Sequence, residues 1–173
     1  MSIRMATSED AEAIAWIIRD SFRPHEAGHV ASDIPIFEPA NHRQAMQDVD
    51  TRWALACEDG RPVGVAMWRM IPGMAHLHLL FVAGDYQGKG YAKQLIRHHQ
   101  GEARREDRRL QVFTLHCLHE SLWAMDFYRR RGYTQYDVGD ERVVPALNIW
   151  IESCKRFRTW PLPARKALFF LEA

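Results

Sequence analysis

The chain is predicted to fold as one α/β domain of the α+β type spanning residues 1–173. Three observations lead there. Runs of strand length alternate with segments of helical periodicity, and no repeat, linker or low-complexity stretch interrupts them. An Asp59-Gly60 pair separates two β-rich runs, as a hairpin turn does. The segment "FVAGDYQGKGYAKQLI", residues 81–96, crowds three glycines into seven residues between an apolar run and a helix-like run.

Taken in order, "SIRMAT" opens as a short strand. "SEDAEAIAWIIRDSF" starts a helix, with Ser8 as its expected N-cap, acids in the first turn and Ile14, Ile17 and Ile18 on one face. Residues 23–50 are irregular, with a short helix expected near Asn41–Val49. "TRWALACEDGRPVGVAMWRM" is the hairpin, and "AHLHLLFV" a third strand after Pro72-Gly73. A helix over about Gly90–Asp107 follows the glycine cluster, then the strand "LQVFTLHCL". "SLWAMDFYRRRG" is a helix stopped by Gly132 at C′. "YTQYDV" and "ALNIWIES" read as strands, and the last apolar stretch of the tail as either a strand or a docking segment.

Composition narrows the function. A net charge of +1 and the lack of a basic-aromatic stripe predict no nucleic-acid partner. "RREDRR", residues 104–109, mixes signs and reads as a solvated helix face or a phosphate or partner contact. Cys57, Cys117 and Cys154 are far apart and odd in number, with no metal-ligand spacing. Buried thiols in a reducing compartment are expected, without a metal. No signal peptide and no apolar run of membrane-spanning length is found, so a cytoplasmic protein with no membrane partner is expected.

Glycine costs backbone entropy, so the cluster needs a geometric reason. A strand turning into a helix through glycines presents free N–H groups at the positive end of a helix dipole, a site for anions and above all phosphate. Close packing at the junction is the competing explanation. The dinucleotide fingerprint fails on spacing, and the Walker A loop fails because Tyr91-Ala92 follows Gly90.

Gln87, Gly90 and Ala92 do form a Q-x-x-G-x-A pattern behind "LLFV". After the next strand, Ser121, Ala124, Phe127-Tyr128 and Gly132-Tyr133 follow the spacing N-x-x-A-x-x-[FY]-Y with a Gly-aromatic pair. In both motifs the chain resembles the GNAT N-acetyltransferase superfamily. The resemblance covers about residues 2–152 and leaves 153–173 as a C-terminal extension. It implies a central mixed, mostly antiparallel sheet with helices on both faces, and acetyl-coenzyme A as cosubstrate. Two departures stand out: Gly84 replaces a frequent proline, and Ser121 replaces an asparagine that commonly hydrogen-bonds the cofactor.

By that resemblance, the amides of Gln87, Gly88, Lys89, Gly90, Tyr91 and Ala92 cradle the pyrophosphate. Phe81 and Val82 pair their backbone with the pantetheine arm, and a backbone N–H near Val82 serves the oxyanion. Ser121 stands at the cofactor-binding asparagine position, and Tyr128 at that of the general acid. Arg129, Arg130 and Arg131 either reach the ribose phosphate or are solvated helix-end cations. Many relatives carry a Glu on the strand before the loop; this chain has His76 and His78 there, either a base titrating near neutrality or structural residues.

The acceptor side should come from the region after the first helix, with His25, Glu26, His29, Asp33 and Glu38 among Phe22, Ile34, Ile36 and Phe37. The implied activity is acetyl transfer to a primary amine, of a small molecule or of a protein terminus or lysine. A non-catalytic acyl-coenzyme A sensor is the alternative. A homodimer is left open.

Overall fold

The computed structural model describes residues 1–25, 35–118, 121–136 and 166–173. Its strands are β1 (Ser2–Met5), β2 (Thr51–Glu58), β3 (Arg61–Ile71), β4 (Met74–Val82), β5 (Val112–Leu118), β6 (Thr134–Tyr136) and β7 (Lys166–Glu172). Its α-helices are α1 (Ala11–Ser21), α2 (Pro39–Ala45), α3 (Tyr91–Glu106) and α4 (Leu122–Arg129). The described strands form one mixed sheet, ordered β1-β2-β3-β4-β5-β7-β6. The pairs β1–β2, β2–β3, β5–β7 and β6–β7 are antiparallel, while β4–β5 is parallel. The chain divides into two compact units, residues 1–70 with 78–103 and residues 71–77 with 104–173.

In the first unit, a 3-10 turn over Ser8–Asp10 precedes α1, and the cap is Thr7 rather than Ser8. The Thr7 N–H donates to Asp10 Oδ2 at 2.8 Å, and Arg4 grips the same carboxylate through two nitrogens at 2.6 and 2.8 Å. A carboxylate used from both sides thus moves the start of the helical segment by one residue. Ile14, Ile17 and Ile18 are fully buried and join Phe37, Trp53, Leu55, Cys57, Val65 and Leu79 in one apolar cluster. Each isoleucine contributes at most about 1.5–3 kcal/mol by leaving water.

The second helix runs over Pro39–Ala45, not Asn41–Val49. Pro39 occupies its first turn, where a fixed φ and a missing N–H cost nothing. Beyond it, Thr51 Oγ1 donates to the Ala45 carbonyl at 3.0 Å, and Arg69 draws in Asp48 and Asp50 at 2.7 and 3.2 Å. The chain therefore turns where the sequence reading continued the helix. Between β2 and β3, Asp59 (φ 49) and Gly60 (φ 81) make the two-residue turn, with Glu58 facing Arg61. Two positive φ angles are what a type I′ hairpin requires. A β-carbon on Gly64 would lie 3.2 Å from Leu95 Cδ1, so bare backbone on β3 lets α3 come close. Trp68, fully buried, packs beside it on His99 of α3 at 5.2 Å between rings.

In the second unit, Met74–Leu77 of β4 lie in parallel register with Val112–Leu115. Along its other edge β5 pairs with β7 from Val112↔Glu172 to Leu118↔Lys166, and β7 also pairs with β6. The final apolar stretch is thus a strand within the sheet. Past α4, the Gly132 N–H donates to the Arg129 carbonyl at 3.0 Å and the Tyr133 N–H to the Tyr128 carbonyl at 3.2 Å. With φ 84 at Gly132, this is a Schellman closure with glycine at C′, as its position suggested. The run "ALNIWIES", residues 146–153, lies outside the described residues, as does Cys154. Cys57 and Cys117 carry free thiols, the first buried. Among the described residues no helix is long and apolar enough to cross a membrane.

Candidate active site

β4 ends at Val82, and the next amide, Ala83 N–H, donates to the Val63 carbonyl at 2.9 Å. A 3-10 turn over Gly84–Tyr86 follows, then Gly88 with φ 75 and Gly90 with φ 91. A β-carbon at either of these two would meet nothing within 4 Å. Both glycines are therefore needed for their backbone conformation, and close packing does not explain them. At Gly84 packing does explain it: a β-carbon there would sit 3.0 Å from an Arg23 nitrogen and 3.1 Å from the Pro24 ring. The Gly90 carbonyl accepts the Gln94 N–H at 3.2 Å, so the amides of residues 91–93 precede the first intrahelical bond of a 16-residue helix. Bare backbone in front of a helix end is the arrangement that can cradle an anion.

The side chains around the cradle have separate tasks. Gln87 donates its amide to the Val82 carbonyl at 3.0 Å and to the Ser21 carbonyl at 2.8 Å, bracing the turn against the strand end and against α1. Lys89 is exposed, its ammonium 5.0 Å from the Tyr86 ring centroid. Tyr91 is 4% exposed and donates its hydroxyl to Glu58. Glu58 accepting that proton pushes the phenol up to about 12. Ala92 is half-buried at the helix start. Phe81 is half-buried against Phe22, with ring centroids 5.9 Å apart, and Val82 is buried. The partners Ser21 and Glu58 escaped the sequence reading because they stand more than thirty residues away from the groups they hold.

Tyr128 is 9% exposed and packs on Phe127, Tyr133 and Phe169, with centroids 5.3, 5.8 and 6.1 Å away. Burial, with smaller effects from Cys117 and Tyr133, pushes its phenol well above the ordinary value, so the proton stays on at neutral pH. Its carbonyl accepts Tyr133 N–H in the Schellman closure, which fixes both ends of the residue. Burial likewise pushes the half-buried Cys117 thiol up to about 11. Ser121 caps α4 through its carbonyl, which accepts the amides of Ala124 and Met125 at 2.9 and 3.0 Å. Its side chain makes no capping bond.

The two strand histidines part company. His76 is 1% exposed, with Nδ1 at 2.8 Å from Thr114 Oγ1 and Nε2 at 3.1 Å from His116 Nδ1. The His76 and His116 rings stack at 5.1 Å. His78 is half-buried. The sequence reading missed His116, although it lies two residues beyond Thr114 on the neighbouring strand. Of the expected acceptor-side residues, Phe22, Ile36 and Phe37 belong to or pack on the core cluster, and Glu38 is exposed at the start of α2. Glu26, His29, Asp33 and Ile34 lie outside the described residues, and the His25 side chain is likewise not described.

Comparison with known proteins bears on the family and the fold. The acetyltransferase (GNAT) family profile matches residues 11–133. No curated protein sequence matches the chain. Among solved structures, the PaiA N-acetyltransferase of Thermoplasma acidophilum in complex with coenzyme A superposes with a TM-score of 0.73 at 16% identity, covering 100% of both chains. The ribosomal-protein-alanine N-acetyltransferase of Brucella melitensis gives 0.65 at 19%, covering 100% of this chain and 99% of that one. The ribosomal-protein-S18-alanine N-acetyltransferase of Escherichia coli gives 0.68 at 14%, covering 99% and 92%. With the family profile spanning most of its length and both motifs set in the matching fold, the chain belongs to the GNAT family of acetyltransferases.

Proposed function

We propose that the protein transfers the acetyl group of acetyl-coenzyme A to a primary amine of a small molecule. The observation that carries the donor side is the open glycine turn before α3, where two positive-φ glycines expose amides at a helix N-terminus. The pyrophosphate would lie on amides from Gln87 to Ala92. The end of β4, at Phe81 and Val82, would offer backbone to the pantetheine arm, and Ser121 its hydroxyl to the cofactor.

In the reaction, the neutral amine nitrogen attacks the thioester carbonyl, the C–N bond forms, and the C–S bond breaks as the thiolate leaves. A backbone N–H near Val82 would stabilise the oxyanion. The Tyr128 phenol would donate its proton to the departing sulfur, and burial keeps that proton in place beforehand. The proton lost by the amine would pass to the strand histidines. His78, half-buried, would take it directly or through water, whereas the shielded ring of His76 would do so only through a neighbour such as His116.

A protein amine is the second reading, favoured by the two neighbours whose names specify ribosomal-protein alanine. Release of free thiol from acetyl-coenzyme A, measured across small amines, peptides with free N-termini and lysine peptides, tests both. Turnover with small amines supports the first reading, and turnover with peptides alone supports the second. Coenzyme binding without turnover on any amine would leave an acyl-coenzyme A sensor. We read residues 1–173 as one cytoplasmic domain working alone or as a homodimer, which light scattering on the purified protein decides.

A further inference from the structure

We infer that Asp20, in the last turn of α1, is a positioning residue for coenzyme binding, holding the glycine turn in its receptive shape through the Gly84 amide. The inference rests on the cradle reading proposed above. The Gly84 N–H donates to Asp20 Oδ2 at 2.7 Å. The other oxygen of Asp20 accepts from Arg23 Nε at 3.0 Å, and Arg23 reaches on to Asp85 at 2.7 Å. The next residue of α1, Ser21, takes the Gln87 side-chain amide. Two consecutive residues at the end of α1 therefore hold the turn on both sides of Asp85-Tyr86.

The Asp20–Gly84 bond is the strong member of this set. It is charge-assisted and short, and the Asp20 side chain is only 20% exposed. The Arg23–Asp85 pair is open to solvent and contributes little. The Arg23 hydrogen bond, with help from the Gly84 amide, keeps the Asp20 carboxyl below the usual carboxylate range, so it stays an acceptor at neutral pH.

This arrangement also accounts for the departure at position 84. A proline there could not donate to Asp20, and its ring would meet Pro24, which already lies 3.1 Å from where a β-carbon would stand. Glycine fits the space and supplies the N–H, but it leaves a turn with three glycines and wide conformational freedom. The anchor to α1 restores order to that turn. A turn that is receptive only part of the time binds with an affinity reduced by that fraction, whereas the bound enzyme is unaffected.

Charge alone predicts the opposite sign. Removing a carboxylate near a pyrophosphate site should tighten anion binding, whereas losing the anchor should weaken it. Calorimetric titration of the full-length protein with coenzyme A, alongside steady-state kinetics, separates the two. Asp20→Ala should raise the Kd about tenfold by leaving the Gly84 amide without its partner. The KM for acetyl-coenzyme A should rise with it, while kcat at saturation stays unchanged. Asp20→Asn, which keeps an acceptor oxygen, should recover most of the affinity. Gly84→Pro should weaken binding as well, and the double variant should bind no worse than Gly84→Pro, since both remove one hydrogen bond. If Asp20→Ala does not fold, Asp20→Ser, uncharged and too short to reach, carries the same expectation. Unchanged or tighter binding in Asp20→Ala, with affinity lost in Gly90→Val, overturns the anchor alone. Affinity unchanged in both overturns the cradle reading with it.

Discussion

Gly90→Val is the most direct probe of the cradle, because the structure separates its two effects. A β-carbon at Gly90 meets nothing within 4 Å, so the substitution brings no clash and no cavity. What remains is backbone: φ is 91, a region closed to β-branched residues, and forcing one there costs about 1–3 kcal/mol. The chain will relieve that strain by rotating φ to negative values, which turns the amides around Gly90 away from the pyrophosphate. Losing one charge-assisted hydrogen bond is worth about 1.5–3 kcal/mol. That translates into coenzyme A binding weaker by roughly ten- to a hundredfold. Gly60→Val supplies the control. Gly60 has φ 81, equally open space and a place in the β2–β3 hairpin of the same unit, so its strain is alike while no ligand is expected there. Titration calorimetry with coenzyme A and thermal unfolding on both variants give the comparison. Similar losses of Tm, with lost affinity in Gly90→Val alone, are expected. Wild-type affinity in a folded Gly90→Val, or an equal loss in Gly60→Val, would refute the reasoning.

Three further outcomes are expected. Tyr128→Phe keeps the ring against Tyr133 and Phe169, so coenzyme affinity should persist while kcat falls by roughly ten- to a thousandfold; full activity would mean that solvent protonates the thiolate. The rate should climb with pH along an acid limb, since only a neutral imidazole accepts a proton, and His76→Ala or His78→Ala should remove that limb; both variants keeping it would make the histidines structural. Arg4, with Thr7, holds the Asp10 carboxyl below the usual range, so its stabilisation is present above about pH 4 and lost as pH falls further. Asp10→Asn should therefore lower Tm at neutral pH and flatten the acid limb of the stability profile, which thermal unfolding across pH will show.

What the sequence revealed of the fold and site depended on how local the cause was. Asp59-Gly60 and Gly132 could be read because their hydrogen bonds close within a few residues. Gly88 and Gly90 are of the same kind, for their φ angles serve the turn that contains them. Ser8 was misjudged because Arg4 and Thr7 both compete for Asp10, a preference that propensity does not contain. The strand β7 could not be told from a docking segment, since its identity comes from pairing with β5 some fifty residues earlier. His116 was missed because only the β4–β5 register, with His76 opposite Thr114, brings it to His76. Asp20 was missed for the same reason, its partner Gly84 lying 64 residues on. Glycine 84 was noticed as a departure, but its purpose appears only with Arg23 and Pro24 in place.

The position of β7 bears on how the protein comes to be active during synthesis. β5 emerges from the ribosome about fifty residues ahead of the strand that will cover its outer edge. In that interval it carries unmatched N–H and C=O groups along seven positions, the kind of edge that recruits stray strands from other nascent chains. Tyr128 waits as well, because Phe169, one of the rings that hold it, arrives only with β7. The proposed acid is thus finished by a strand made well after it, and a nascent chain released before residue 166 would bring a ready-made turn to the coenzyme and an unsupported phenol to the chemistry.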